Sequence, residues 1–142
     1  MRNSAGVRAH SVLLDAEALS ALALGEHRMQ AWAEVARRTD STLHASTVTL
    51  AEVSDGTQRD VRIRRALKAV RLIEVTDSIG FTAGALRARA ASRRRKARDL
   101  TVDAIVAATA GALMPPVVVL TSDVTDLELL LAGTDVQVVA VG

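Results

Sequence analysis

The sequence predicts an α/β domain on a parallel sheet of about five strands, with helices on both faces. Three observations carry that reading. Short apolar runs alternate with longer stretches of helical periodicity along the 142 residues. Val117 to Leu120 is a continuous, mostly β-branched run, the pattern of a parallel strand buried on both faces. Acids stand where strands should end or helices begin, at Asp15, Glu52, Asp103, Asp123 and Asp126. An α/β domain builds its site at the carboxyl ends of its strands.

The elements follow in order. Residues 1–10 are polar and expected to fray. Val12 to Leu14 reads as a first strand ending at Asp15, and Ala16 to Leu24 as a helix stopped by Gly25. Glu26 to Arg38 carries a helical stripe of Met29, Trp32, Ala33 and Ala36. Leu43 to Ala45 is a second strand by context, and Ser46 or Thr47 can cap the helix carrying Leu50, Glu52 and Val53. That helix should end at Asp55-Gly56. Arg59 to Val70 is basic and amphipathic, with Val61, Ala66, Leu67 and Val70 expected inward. Leu72 to Val75 is a third strand. Asp77 or Ser78 starts a long helix expected to turn Phe81, Ala85, Leu86 and Ala90 inward. Thr101 is the expected cap of VDAIVAATAGAL, a helix apolar enough all round to be buried. Pro115-Pro116 breaks it before the fourth strand. Val124 to Ala132 is a last helix, Gly133 its stop, and Val136 to Val141 the fifth strand.

Length and composition fit one domain, residues 1–142, able to bury a real core. Trp32 and Phe81 are the sole aromatics, so base-stacking platforms are excluded and the core must be aliphatic. There is no cysteine, which removes disulfides, thiolate metal sites and cysteine nucleophiles. A reducing cytoplasm is the expected compartment. No stretch reaches the roughly 18 apolar residues of a membrane span, so no membrane partner is expected. Net charge is +2, yet RARAASRRRKAR at 87–98 holds seven bases and no acid, leaving −5 elsewhere. An acidic site beside a basic strip suits a metal-dependent enzyme acting on a polyanion, although such a strip also reads as a solvated helix face.

Carboxylates gathered from distant parts of a chain repel unless a cation joins them. Oxygen-only ligands favour Mg²⁺ or Mn²⁺. Each acid also has a plainer account. Asp15 can cap a helix, Asp103 can complement a helix dipole, and Asp126 is either a supporting acid or exposed. Glu52 lies within an apolar helix, where an acid needs a partner. Thr121 and Ser122 flank the last cluster.

The stretches VLLDAEAL at 12–19, TLAEV at 49–53, TVDAIVAATA at 101–110 and VVVLTSDVTDL at 117–127 resemble a PIN domain. Within that PIN-like fold they are most similar to the VapC toxins of bacterial toxin–antitoxin pairs. The resemblance covers essentially the whole chain, and the last two motifs are its specific part. It implies a Mg²⁺- or Mn²⁺-dependent endoribonuclease with catalytic acids Asp15, Glu52, Asp103 and Asp123. Asp15, Asp103 and Asp123 would hold the metal, with Glu52 and Asp126 as further ligands and Thr121 as a supporting hydroxyl. It further implies an RNA substrate, a small VapB-like antitoxin and a homodimer. Glu17 and Val124-Thr125 depart from the usual pattern without removing an expected ligand.

Cleavage by such a site should leave 5′-phosphate and 3′-hydroxyl ends. His10, His27 and His44 stand beside none of the acids, which argues against a histidine-based ribonuclease. Arg93, Arg94, Arg95 and Arg98 precede the Asp103 helix and are candidates for guiding RNA. A phosphorylation-switch receiver domain would need a Lys after its last strand, and none follows Pro115-Pro116. The alternative is a PIN-like module without catalysis that binds RNA or protein. A third reading keeps the fold but cuts structured DNA.

Overall fold

The computed structural model describes residues 9–93 and 99–141. Five parallel strands form one sheet: β1 (Ser11–Leu14), β2 (Thr42–Ser46), β3 (Arg71–Ile73), β4 (Val117–Thr121) and β5 (Gln137–Ala140). Their spatial order is β3-β2-β1-β4-β5. The helices are α1 (Ala16–Ala23), α2 (His27–Arg38), α3 (Thr47–Val53), α4 (Arg59–Ala66), α5 (Asp77–Ala91), α6 (Thr101–Gly111) and α7 (Val124–Leu130). A 3-10 turn, Leu67–Ala69, continues α4. Among the described residues no helix is long and apolar enough to cross a membrane.

Strand alternation divides the core in two. Val12, Leu14, Leu43, Ala45, Val118 and Leu120 meet Leu19, Met29, Trp32 and Ile63 from α1, α2 and α4. Leu13, Val117 and Val119 meet Ala83, Ala104, Ala108 and Leu127 from α5, α6 and α7 on the opposite face. The first two pairings are in register, Leu13 beside His44 and Leu14 beside Leu120. Ala9 packs against the first core, and the His10 N–H donates to the Pro116 carbonyl at 2.8 Å.

Several inward faces differ from the sequence expectation. In α4 the buried residue is Ile63, while Val61 is 48% exposed. Positions 60, 63, 66 and 67 make one helical stripe, and α4 turns it towards α1. In α5, Ile79, Ala83 and Ala90 are buried and Phe81 is 82% exposed. The spacing 79, 83, 86, 90 follows the helical repeat, and its alanines let α5 lie close against α6. Phe81 falls on the far side. Two caps also shift. Thr76, not Asp77 or Ser78, caps α5 by accepting from the Ile79 N–H at 3.2 Å. Thr101 is the first residue of α6, and Asp99 accepts from its N–H at 2.9 Å and its hydroxyl at 2.6 Å. Those bonds hold the Asp99 carboxyl below its ordinary pKa.

Ser46 ends β2 and starts α3, its hydroxyl accepting from the Val48 N–H at 3.1 Å. Ser46 is fully buried, so water cannot replace that bond. Ser46→Ala should therefore cost about 0.5–2 kcal/mol, measured by urea unfolding.

His44 lies in β2 between Leu13 and Arg71, buried, with no partner for Nδ1 among the described residues. Burial first, and the Arg71 charge second, hold its pKa below the usual histidine range. The unfolded chain then takes up a proton that the fold resists. Stability should be full above pH about 6.5 and fall as the pH drops from there towards the folded-state pKa. Unfolding midpoints across pH 5–8 check this. His44→Leu should flatten the slope, and an equal slope in both proteins would rule His44 out as its source.

Candidate functional site

Strand order reverses direction at β1, with β2 and β3 to one side and β4 and β5 to the other. Ligands of open parallel sheets bind outside the carboxyl ends at such a switch point. Here the crevice opens where β1 delivers Asp15 and β4 delivers Thr121 to Asp123. Main-chain bonds knit its floor: the Asp15 N–H donates to the Leu120 carbonyl at 3.0 Å.

Asp15 uses both carboxylate oxygens. Oδ1 accepts from the Ala18 N–H at 2.9 Å and so caps α1. Oδ2 accepts from the Ser122 N–H at 3.1 Å, across 107 positions of sequence. The plain role as a cap and the role as a site acid thus coexist in one residue. Asp15 ties the loop after β4 to the start of α1.

Thr121 is fully buried, and its hydroxyl accepts from the Asp123 N–H at 2.8 Å. That bond sets the turn into α7. Asp123 stands at the N-cap position of α7, but its side chain makes no cap bond. Its carboxylate lies instead with those of Asp103, from the first turn of α6, and Asp126, from the first turn of α7. One carboxylate oxygen from each of the three lies within 4.8 Å of the others. Asp126 is only 5% exposed, which removes the reading of it as a surface acid. Two half-buried acids and one buried acid form the trio.

Glu52 is on α3 and exposed, not enclosed by its apolar neighbours as the sequence suggested. Its carboxyl is nevertheless crowded by protein on one side. Desolvation first, and the neighbouring Asp15 charge second, raise its pKa above the ordinary glutamate value. The five acids therefore fall into two sets, the trio and the Asp15–Glu52 pair. The Asp15 to Ser122 hydrogen bond joins them. Glu17 is exposed on α1. Of the basic candidates, Arg93 is exposed just beyond α5, while Arg94, Arg95 and Arg98 lie outside the described residues.

Sequence reasoning missed the Ser122 N–H, a main-chain donor with no sequence signature. It also missed Thr49, one turn before Glu52 on α3, whose hydroxyl is fully buried without a partner among the described residues. The Thr-x-x-Glu spacing was the available signal.

Three carboxylates, from α6, the N-cap of α7 and α7 itself, gather at the end of a parallel sheet in an α/β domain, an acid cluster of the kind that could hold a metal ion. The PIN domain family model matches residues 12–124, and the chain belongs to that family. No curated protein sequence matches it. Among the solved structures that share the fold are three toxin–antitoxin assemblies. VapBC2 from Rickettsia felis, bound to a DNA fragment from its promoter, superposes with a TM-score of 0.73 at 15% identity, covering 93% of this chain and 99% of that one. DNA-bound VapBC from Salmonella typhimurium gives 0.65 at 15% identity, covering 90% and 97%. A toxin–antitoxin complex from Klebsiella pneumoniae gives 0.59 at 22% identity, covering 88% and 94%.

Proposed function

We propose that the chain is a metal-dependent endoribonuclease acting as the toxin of a toxin–antitoxin pair. The observation that carries this reading is the Asp103, Asp123 and Asp126 trio at the switch point of a PIN fold. Hard oxygen donors and no nitrogen or sulfur ligand suit Mg²⁺ or Mn²⁺. The trio would hold the ion, with Asp15 adjoining it through the β4–α7 loop. A bound ion of this kind neutralises a scissile phosphate and acidifies water.

The chain's own residues do the rest. Thr121 and the Ser122 N–H fix the loop that carries Asp123, so the trio does not have to reorganise when charge arrives. Glu52 has a carboxyl less acidic than an ordinary glutamate, which suits it to take a proton from an attacking water. Arg93 to Arg98 are positioned in sequence to receive the RNA strand. The likeness to VapBC and toxin–antitoxin complexes supports a small VapB-like antitoxin as partner; a homodimeric assembly and a cytoplasmic compartment belong to the same proposal.

The test is cleavage of total bacterial RNA by the purified chain with Mn²⁺, with Mg²⁺ and with EDTA, beside Asp15→Asn prepared identically. Metal-dependent cleavage with 5′-phosphate products, lost in the variant, is the expected result. A 2′,3′-cyclic phosphate product would overturn the mechanism. Neither cleavage nor Mn²⁺ binding would favour a binding module without catalysis.

A further inference from the structure

We propose that the outward face of α4 is a phosphate-binding track that leads the RNA backbone towards the acid end of the sheet. This rests on the nuclease reading above and adds a surface to it. Residues 59–71 carry six bases and one acid, a net +5 over thirteen positions. With the 87–98 stretch also set aside, the remainder of the chain carries −10. The positive charge outside 87–98 is thus concentrated here.

The single acid forms no ion pair with these bases among the described residues. Asp60 turns back to the loop before α4, accepting from the Asp55 N–H at 3.1 Å and the Gly56 N–H at 3.0 Å. Arg62, Arg64, Arg65 and Lys68 are all exposed, and none forms an ion pair among the described residues. Helical periodicity explains the exposure. With Ile63 buried, Arg65 and Lys68 lie on the far side, and Arg62 and Arg64 flank them.

Topology places this strip. All strands run the same way, and α3 leaves the carboxyl end of β2 carrying Glu52. β3 must begin again at the opposite end. Hence α4 descends from the acid end along the face that also holds α1. The eight residues of α4 span about 12 Å, and long basic side chains extend that reach along a phosphate backbone. Guanidinium groups match phosphate oxygens in a two-pronged geometry and stay charged at any physiological pH. A polyanion approaching a crowd of carboxylates is repelled. A cationic rail that starts at the acid end offsets that repulsion and lets the strand approach.

The test is fluorescence anisotropy with a fluorescein-labelled, mixed-sequence, single-stranded RNA 20-mer in EDTA, from 50 to 300 mM salt. The full chain is compared with the Arg62→Gln/Arg64→Gln/Arg65→Gln/Lys68→Gln variant, its fold checked by circular dichroism. Each lost phosphate contact should lower the slope of log K against log salt by about 0.7. The quadruple variant should therefore bind at least about tenfold more weakly at low salt, with a slope shallower by about 2–3. An Arg62→Lys/Arg64→Lys/Arg65→Lys variant, which keeps the charge, should retain the slope. Unchanged affinity and slope in the Gln variant would overturn the track. So would poly-L-glutamate binding more tightly than RNA and depending on these residues, which would assign the face to an acidic polypeptide. Cleavage of the same RNA by the unaltered chain with Mn²⁺ is read separately. Absence of both cleavage and Mn²⁺ binding, with strip-dependent RNA binding, would sink the nuclease reading and leave the track.

Discussion

Asp123→Asn should abolish tight Mn²⁺ binding while leaving the fold intact. The substitution keeps the shape of the side chain and removes the negative charge from one of three carboxylates whose oxygens lie within 4.8 Å of one another. It leaves the Thr121 hydroxyl and the Asp123 N–H in place, since that bond uses the main chain of residue 123. Loss of an outer partner of a metal site already costs about 10–100-fold in affinity or activity. Loss of a ligand should exceed that, so cleavage should fall by more than about a hundredfold. Titration calorimetry with Mn²⁺ gives the affinity directly. Thermal unfolding gives an independent reading, because an ion that binds only the folded chain raises its melting temperature. The unaltered chain should be stabilised by millimolar Mn²⁺ and the variant should not. An equal Mn²⁺ shift in both would remove Asp123 from the metal centre. Asp103→Asn and Asp126→Asn should behave alike. Glu52→Gln separates the two acid sets. It should lower cleavage and leave most of the Mn²⁺ affinity, since Glu52 stands with Asp15 and outside the trio.

Leu120→Ala should produce a large loss of stability. Leu120 has no exposed surface and sits in β4 between Leu14 of β1 and Val139 of β5. Its side chain belongs to the core under α1 and α2. Removing buried methylenes costs the transfer energy and leaves a cavity, together about 2–5 kcal/mol for Leu→Ala. Against a total of about 5–15 kcal/mol, that is a large share. The urea midpoint should fall sharply with an unchanged slope, because the same surface is exposed on unfolding. A change under about 1 kcal/mol would mean the packing described here is wrong. Phe81→Ala is the contrast. Phe81 is 82% exposed, so its loss should shift stability by no more than about 0.5 kcal/mol.

The contrast between Leu120 and Phe81 shows how far local sequence carries. Val117 to Leu120 could be read as a central strand because four consecutive, mostly β-branched apolar residues directly after Pro115-Pro116 suit a strand covered on both faces. The α2 stripe of Met29, Trp32 and Ala36 was equally legible, as was Gly25 at a φ of 73° ending α1. In α5 two apolar spacings competed, one through Phe81 and one through Ile79 and Ala83. Hydrophobicity alone favours the aromatic. Contact with α6 favours the small residues, because helices approach closely only where side chains are short. The same holds for Val61 and Ile63 in α4, equally apolar and differently placed.

The acid centre divides in the same manner. The sequence by itself determined the family, the parallel α/β frame and the identity of five acids at strand and helix ends. These are properties of runs and spacings, which a chain carries without its neighbours. Tertiary structure decided which acids share a site. Asp103 and Asp126 are 23 positions apart, yet they meet because α6 and α7 pack together beside β4. Asp15 reaches Ser122 because β1 and β4 are neighbours at the switch point. Glu52 is exposed despite its apolar helix, and Asp126, which the sequence left as either a supporting or an exposed acid, is buried, since burial depends on what a helix faces and not on the residues beside it in sequence.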